Sequence, residues 1–253
     1  MLILNAGLVK SGSTYLHLMV KNYVANFGYI GRKKLATYDK DYLEFNKNLS
    51  IKNKTLPLFF RALEKGYLTC FKTHLALPDT ADIYLNNRQL SCTFIYRNPR
   101  DIVMSILRDA HADRVIMNRK TQNEVISEEV QSSARGYAWL ESAEEAASHV
   151  INMKPVFDSY QNMPNTQCIR YEELVQSPYA VMECILTNFG FEINPELLKQ
   201  TIDTYDPSKT SLKRLADSKH RNTLEPFLEG FALSTEDQLY VDDEMEQDLA
   251  PLK

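Results

Sequence analysis

The chain has 253 residues, 44% of them hydrophobic and 25% charged, with 29 basic against 33 acidic side chains. These values exclude a disordered chain, a collagen-like repeat and a coiled-coil rod, and they leave enough length to bury a substantial core. A net charge of −4 excludes a general positive field for nucleic acid, so any anion site must be local.

The first predicted strand is the apolar run Leu2–Ala6, which ends in a Gly/Ser-containing loop, Gly7–Ser13. From Thr14 to about Phe27, apolar residues fall at Tyr15, Leu16, Leu18, Met19, Tyr23 and Val24, a helical period. Residues 31–54 are polar and rich in Lys and Asn, and read as an excursion with weak structure. Thr55–Lys65 reads as a helix stopped by Gly66. Tyr67–Lys72 is a second strand and Ser91–Tyr96 a third, followed by a helix near Pro99–Asp109 with proline at its first turn. Residues 112–125 read as a mobile polar loop. Glu128–Tyr160 reads as one or two long helices, broken near Pro155, with Tyr137 and Trp139 as core residues. Thr166–Arg170 is a fourth strand, and helices are expected over 178–189 and 195–204. The tail after Glu236 is acidic and expected to be partly disordered. Strands alternate with helices throughout. The expected fold class is therefore α/β, a single domain over residues 1–253 with a mainly parallel central sheet flanked by helices.

No stretch approaches 18 apolar residues, so no membrane span is expected. The N-terminus lacks the charged region of a secretory signal. The four cysteines, Cys70, Cys92, Cys168 and Cys184, have no CxxC or zinc-like spacing. They read as reduced, mostly buried thiols of a cytosolic protein. His17 reads as a packed or surface residue of the first helix, and His111, His149 and His220 have no metal spacing.

Three loops carry the chemistry. Gly7-Leu8-Val9-Lys10-Ser11-Gly12-Ser13-Thr14 is a strand–loop–helix, the form in which backbone N–H groups and a helix N-terminus meet an anion. The spacing of Gly7 and Gly12 fits the start of a P-loop, but Ser13 stands where that motif has its lysine, and Lys10 sits inside the loop instead. In Lys72-Thr73-His74-Leu75 a cation and a base follow a strand, two positions apart and so on the same side of extended chain. Arg97 ends another strand and Ser105 lies eight residues on, a guanidinium and a hydroxyl able to hold a second phosphate.

Taken in order, these segments resemble the soluble, cytosolic-type sulfotransferases that use 3′-phosphoadenosine 5′-phosphosulfate (PAPS). Lys10-Ser11-Gly12-Ser13-Thr14-Tyr15 is similar to their 5′-phosphosulfate loop, usually Lys-Ser-Gly-Thr-Thr-Trp. Lys72-Thr73-His74-Leu75 matches their catalytic Lys-Thr-His-Leu, and Arg97 to Ser105 matches their 3′-phosphate motif. Arg170-Tyr171-Glu172-Glu173-Leu174 resembles the segment after their fourth strand. The resemblance implies a P-loop-NTPase-like fold, PAPS as cofactor with PAP as product, and no metal. It implies His74 as general base, Lys10 and Lys72 as charge stabilisers, and Ser105 as a restraint on the loop lysine. Ser11, Gly12, Ser13 and Thr14 would hold the 5′-phosphate, and Arg97 and Ser105 the 3′-phosphate. Tyr15 would stack on adenine and Tyr171 would contact its edge. Thr210-Ser211-Leu212 stands for the family's Thr-Ser-Phe, and Arg221, with Lys219 as competitor, for its late 3′-phosphate grip.

The implied partner is a small-molecule acceptor carrying a hydroxyl, or an amine. No nucleic acid and no membrane is implied, and no dimer motif is visible. The family's N-terminal extension and longer lid are missing from the sequence, so the acceptor pocket is expected to be more open, or built from residues 31–54 and 112–135. Two other readings compete: a P-loop kinase of a small molecule, opposed by Ser13 and the Arg97/Ser105 pair, and a non-catalytic nucleotide-binding protein, opposed by Lys10, Lys72 and His74.

Overall fold

A computed structural model describes residues 1–46, 49–122, 136–205 and 240. Four strands, β1 (Leu2–Gly7), β2 (Thr69–Thr73), β3 (Leu90–Tyr96) and β4 (Thr166–Arg170), form a parallel sheet in the order β2-β1-β3-β4. Every residue of β1 and β2 is buried. That is why both read as continuous apolar runs and not as alternating ones: a parallel sheet is covered on both faces. The chain passes from β1 to β2 on one side and then returns to β3 on the other. This reversal of strand order places a crevice at the carboxyl end of β1.

The chain falls into two compact units, the first made of Met1–Arg97 and Pro155–Lys209, the second of Asn98–Lys154 and Thr210–Lys253. In the first, helix α1 (Ser13–Val24) covers the sheet together with α8 (Tyr171–Gln176), α9 (Pro178–Asn188) and α10 (Pro195–Tyr205). Ile3, Leu16, Met19, Val20, Ile185 and Leu198 belong to the resulting core. Helices α3 (Leu56–Glu64) and α4 (Asp82–Asn86) complete the front half of this unit.

The 31–54 excursion is structured, against expectation. Helix α2 (Arg32–Tyr38) and a 3₁₀ turn at Lys40–Glu44 bury Leu35, Tyr42 and Phe45, and beyond them Leu49 and Ile51 are buried as well. Phe45 meets Phe71 of β2 edge to face at 5.2 Å. The Arg32 guanidinium donates to the Phe45 carbonyl at 2.7 Å, and the Tyr42 hydroxyl to the Leu58 carbonyl at 3.2 Å. Its apolar anchors are spaced singly among lysines and asparagines, so no periodic run announces them.

In the second unit, α5 runs over Pro99–Thr121, well past the expected end near Asp109. The expected loop from residue 112 is helix as far as 121. The buried stripe Ile102, Val103, Ile106, Leu107 and Ala110 continues through Ala112, Asp113 and Ile116. Asp113 makes the stripe look polar, yet its carboxylate is satisfied by the Tyr137 backbone N–H at 2.8 Å. The expected helix from Glu128 is also corrected. Residues 136–142 are not helical, and α6 (Ala143–Ile151) starts at a Ser142 cap whose hydroxyl accepts the Glu145 N–H at 3.1 Å. The break expected near Pro155 is there: α6 ends at Ile151, and α7 (Lys154–Gln161), which from Pro155 on belongs to the first unit, carries the proline in its first turn, where helical N–H groups have no partner. Trp139, expected in the core, is 59% exposed and lies edge to face on His149. Cys70 and Cys92 are buried, whereas Cys168 and Cys184 are exposed, and all four are unpaired thiols. No described helix is long and apolar enough to cross a membrane.

Candidate active site

Parallel pairing puts the carboxyl ends of the four strands on one edge of the sheet. The residues that follow them gather there: Leu8–Gly12 after β1, His74 after β2, Arg97 after β3 and Tyr171 after β4. The β1–α1 loop turns on two left-handed residues, Gly12 at φ 84° and Lys10 at φ 59°. Glycine takes this geometry without strain, while a side-chain-bearing residue there costs about 1–2 kcal/mol. Gly12 also caps α1, and no side chain caps it. The first-turn N–H groups of α1 therefore have no acceptor within the helix, and its positive end faces the loop, which suits an anion.

The side chains of the loop divide into two kinds. Ser13 and Thr14 are buried in the first turn of α1. Ser11 is turned inward: its hydroxyl, 0% exposed, lies 2.6 Å from the Leu8 carbonyl and 3.0 Å from the Ile95 carbonyl. The hydroxyl thus packs between the loop and β3, and the Ser11 main chain stays in the loop. Gly7 sits under the same hydroxyl. A Cβ there would fall 2.7 Å from both the Ile95 carbonyl oxygen and its Cγ2, and 3.0 Å from the Ser11 hydroxyl. Gly7→Ala is expected to cost about 1–3 kcal/mol, read as a lower urea midpoint. An unchanged midpoint would show that the β1–β3 spacing gives way.

Lys72 is buried, and its Nζ donates to the Thr14 hydroxyl. Its backbone is held from the far side as well. The Lys72 N–H donates to the Leu49 carbonyl at 3.3 Å, and its carbonyl accepts from the Ile51 N–H at 2.7 Å. The excursion thus ends as a short bridge alongside β2 and fixes the lysine that follows from it.

His74 is anchored on the base of the loop. Its Nδ1 lies 2.6 Å from the Gly7 carbonyl oxygen. A carbonyl only accepts, so Nδ1 carries the hydrogen, and in the neutral ring the lone pair is on Nε2. At the end of β3, the Arg97 guanidinium lies over the Tyr171 ring, 4.8 Å from its centroid. Tyr15, expected to stack on adenine, is only 9% exposed and belongs to the core, so the surface it offers a base is small.

Beneath the loop lies a polar chain that the sequence reading did not assemble. The Thr93 hydroxyl donates to Asn5 Oδ1 at 3.0 Å, which orients the Asn5 amide so that its Nδ2 donates to His17 Nδ1 at 3.3 Å. All three side chains are fully buried. Burial, with the charges of Lys21 and Lys72 added, lowers the His17 pKa to about 3, against a smaller opposing pull from the Phe71 backbone. His17 is therefore neutral, with Nδ1 as acceptor. The one signal of this chain in the sequence is Asn5, a polar residue inside an otherwise apolar strand.

Of the expected site residues, Lys10, Ser11, Gly12, Ser13, Thr14, Tyr15, Lys72, His74, Arg97 and Tyr171 lie in the first unit. Ser105 lies in the second turn of α5, half-buried, in the second unit. Thr210, Leu212, Lys219 and Arg221 lie outside the described residues, as does the acidic tail apart from Tyr240. Among the described residues no group of three or more His, Cys, Asp or Glu side chains could hold a metal ion.

A family described as "Sulfotransferase domain" matches residues 2–229. Among solved structures, a mouse sulfotransferase complexed with PAP is 14% identical, over 98% of this chain and 84% of its own, with a TM-score of 0.55. Retinol dehydratase in complex with androsterone and inactive cofactor PAP is 12% identical, over 98% of this chain and 80% of its own, with a TM-score of 0.53. The same enzyme in a complex with retinol and PAP is 11% identical, over 98% and 81%, again with a TM-score of 0.53. At such identities the likeness is one of fold. No curated protein matches the chain.

Proposed function

The chain belongs to the sulfotransferase family, and from that premise we propose that it moves a sulfuryl group from PAPS to the hydroxyl of a small molecule. The cofactor suits the residues present: an uncapped helix start behind a left-handed glycine, and three cations, Lys10, Lys72 and Arg97, along one sheet edge. Bound there, PAPS would supply the activated sulfuryl group and depart as the 3′,5′-bisphosphate PAP. The loop backbone with Ser13 and Thr14 would hold the 5′-phosphosulfate. Arg97, Ser105 and Arg221 would take the 3′-phosphate, and Tyr15, Tyr171, Thr210 and Leu212 the adenine.

His74 acts as general base, accepting the acceptor's proton at Nε2 while Nδ1–H stays on Gly7. Lys72 and Lys10 offset the negative charge that builds on the transferring and leaving oxygens, at positions set before reaction. The observation that carries this reading is the His74–Gly7 hydrogen bond, which ties a base to the floor of an anion loop. The androsterone and retinol held by retinol dehydratase support a small-molecule acceptor. We treat both units as parts of one catalytic domain, since the family match runs across them from residue 2 to 229. Four unpaired thiols suit a reducing, cytoplasmic compartment.

The test is ligand-dependent thermal stability without magnesium. PAP at about 100 times its dissociation constant is expected to add about 2.7 kcal/mol, a rise of roughly 5–10 °C for a chain of this size. A shift with ATP and magnesium but none with PAP would replace the sulfotransferase reading by a kinase one. PAPS consumption against phenols, alcohols, sugars and amines, followed by mass spectrometry, then identifies the acceptor.

A further inference from the structure

Tyr171 joins two parts of the site that the sequence places 85 residues apart, Gly12 and Arg97. It is the first residue after β4, and Arg97 is the first after β3. The last register pair of these strands is Tyr96 with Arg170, so Arg97 and Tyr171 leave the sheet edge side by side. The Cδ2–Cε2 edge of the ring lies against Gly12. A Cβ there would fall 2.4 Å from Tyr171 Cδ2 and 2.6 Å from Cε2, so only glycine fits beside it. The Arg97 guanidinium lies over the ring, 4.8 Å from its centroid. The body of Tyr171 packs against the core of α1, α9 and α10, which makes the ring a fixed plate.

Resting on the sulfotransferase reading, we propose that Tyr171 is a positioning residue: its ring, set against Gly12, holds the Arg97 guanidinium in place for the 3′-phosphate. The ring and not the hydroxyl does this, because the Gly12 contact is to ring carbons and the Arg97 contact is to the ring face. A planar guanidinium on an aromatic face loses little freedom when it binds an anion, whereas an unstacked one must be ordered by the ligand.

The experiment measures affinities for PAP and for AMP, which lacks the 3′-phosphate, in wild type, Tyr171→Phe, Tyr171→Leu, Arg97→Gln and the Arg97→Gln/Tyr171→Leu double variant. Tyr171→Phe is expected to keep the wild-type ratio of PAP to AMP affinity within about twofold, because the plate remains; a lost adenine contact would weaken both ligands alike and leave the ratio unchanged. Tyr171→Leu is expected to lower that ratio roughly 3- to 30-fold, the range of a partly buried cation–π contact. In an Arg97→Gln background, Tyr171→Leu is expected to have no further effect on the ratio, since the side chain it positions is gone. A lower ratio in Tyr171→Phe would assign the 3′-phosphate effect to the Tyr171 hydroxyl and overturn the proposal. Equal losses for PAP and AMP in Tyr171→Leu would reduce the ring to a support of the loop, and also overturn it. Should Tyr171→Leu fail to fold, Arg97→Lys decides between them. It keeps the charge without the planar face, and unchanged PAP affinity there would show that the stack is not needed. Absence of PAP binding in the wild type would remove the sulfotransferase reading itself, a result distinct from each of these.

Discussion

Replacing His74 by alanine is expected to lower sulfuryl transfer roughly 10²- to 10⁴-fold, the usual worth of a placed general base, while PAP affinity stays within about twofold of wild type. The Nδ1–H bond to Gly7 at 2.6 Å gives this residue two separable roles, base and brace. Alanine removes both. His74→Asn removes only the first, because an amide N–H at the Nδ1 position can still donate to the Gly7 carbonyl. If base chemistry dominates, the two variants lose the same turnover. If asparagine restores most of it, His74 serves the loop and another group takes the proton. The pH profile separates the two roles a second way. Protonation of the ring at acid pH removes the Nε2 lone pair, so kcat/KM of the wild type falls on that side and both variants lack that limb. Near-wild-type turnover in both variants would remove His74 from the base role.

The sheet and the loops at its edge were legible in the sequence because their signals are local. A strand buried on both faces is an apolar run, and a loop that cradles an anion shows its glycines and hydroxyls in order. Thr166–Arg170 is a strand over the same residues in sequence and structure, and the other three differ by a residue or two at their ends. What was not legible depends on pairings across the chain. The loop's own residues do not show that the Ser11 hydroxyl turns inward, onto the Leu8 carbonyl and that of Ile95, 84 residues away. The excursion of residues 31–54 reads as weak structure until Phe45 meets Phe71 and Leu49–Ile51 grips the backbone of Lys72. Helix α5 reads as ending near Asp109 because residues 112–125 are polar, whereas the buried Asp113 on its stripe accepts from the Tyr137 N–H, 24 residues on. In each case a partner outside the segment decides the structure, and no local pattern announces it.

Beneath the loop, the expected effect is on stability. The pKa of His17 is lowered to about 3 in the folded chain from an ordinary 6.5. A base whose folded value is depressed contributes stability that is present above the unfolded value and lost as pH falls from about 6.5 toward 3, because the unfolded chain binds the proton and the folded chain does not. The slope approaches about 1.4 kcal/mol per pH unit, so between pH 7 and pH 5 this one residue is expected to cost about 2 kcal/mol. Other groups titrate over the same range, and a non-titrating variant cancels them. His17→Asn keeps an acceptor for the Asn5 amide at the Nδ1 position. It is expected to be less stable than wild type at pH 7 because part of the ring volume is lost, and to close about 2 kcal/mol of that gap by pH 5. Urea melts of both proteins at the two pH values measure the difference, and parallel pH dependences would mean that His17 titrates normally. The residue matters to the site through its neighbours. Lys72 already holds one charge beside the first turn of α1, and Lys21 a second charge near His17. A protonated imidazole would add a third positive charge close to these two, and a neutral His17 spares the buried Lys72 that repulsion beneath the anion loop.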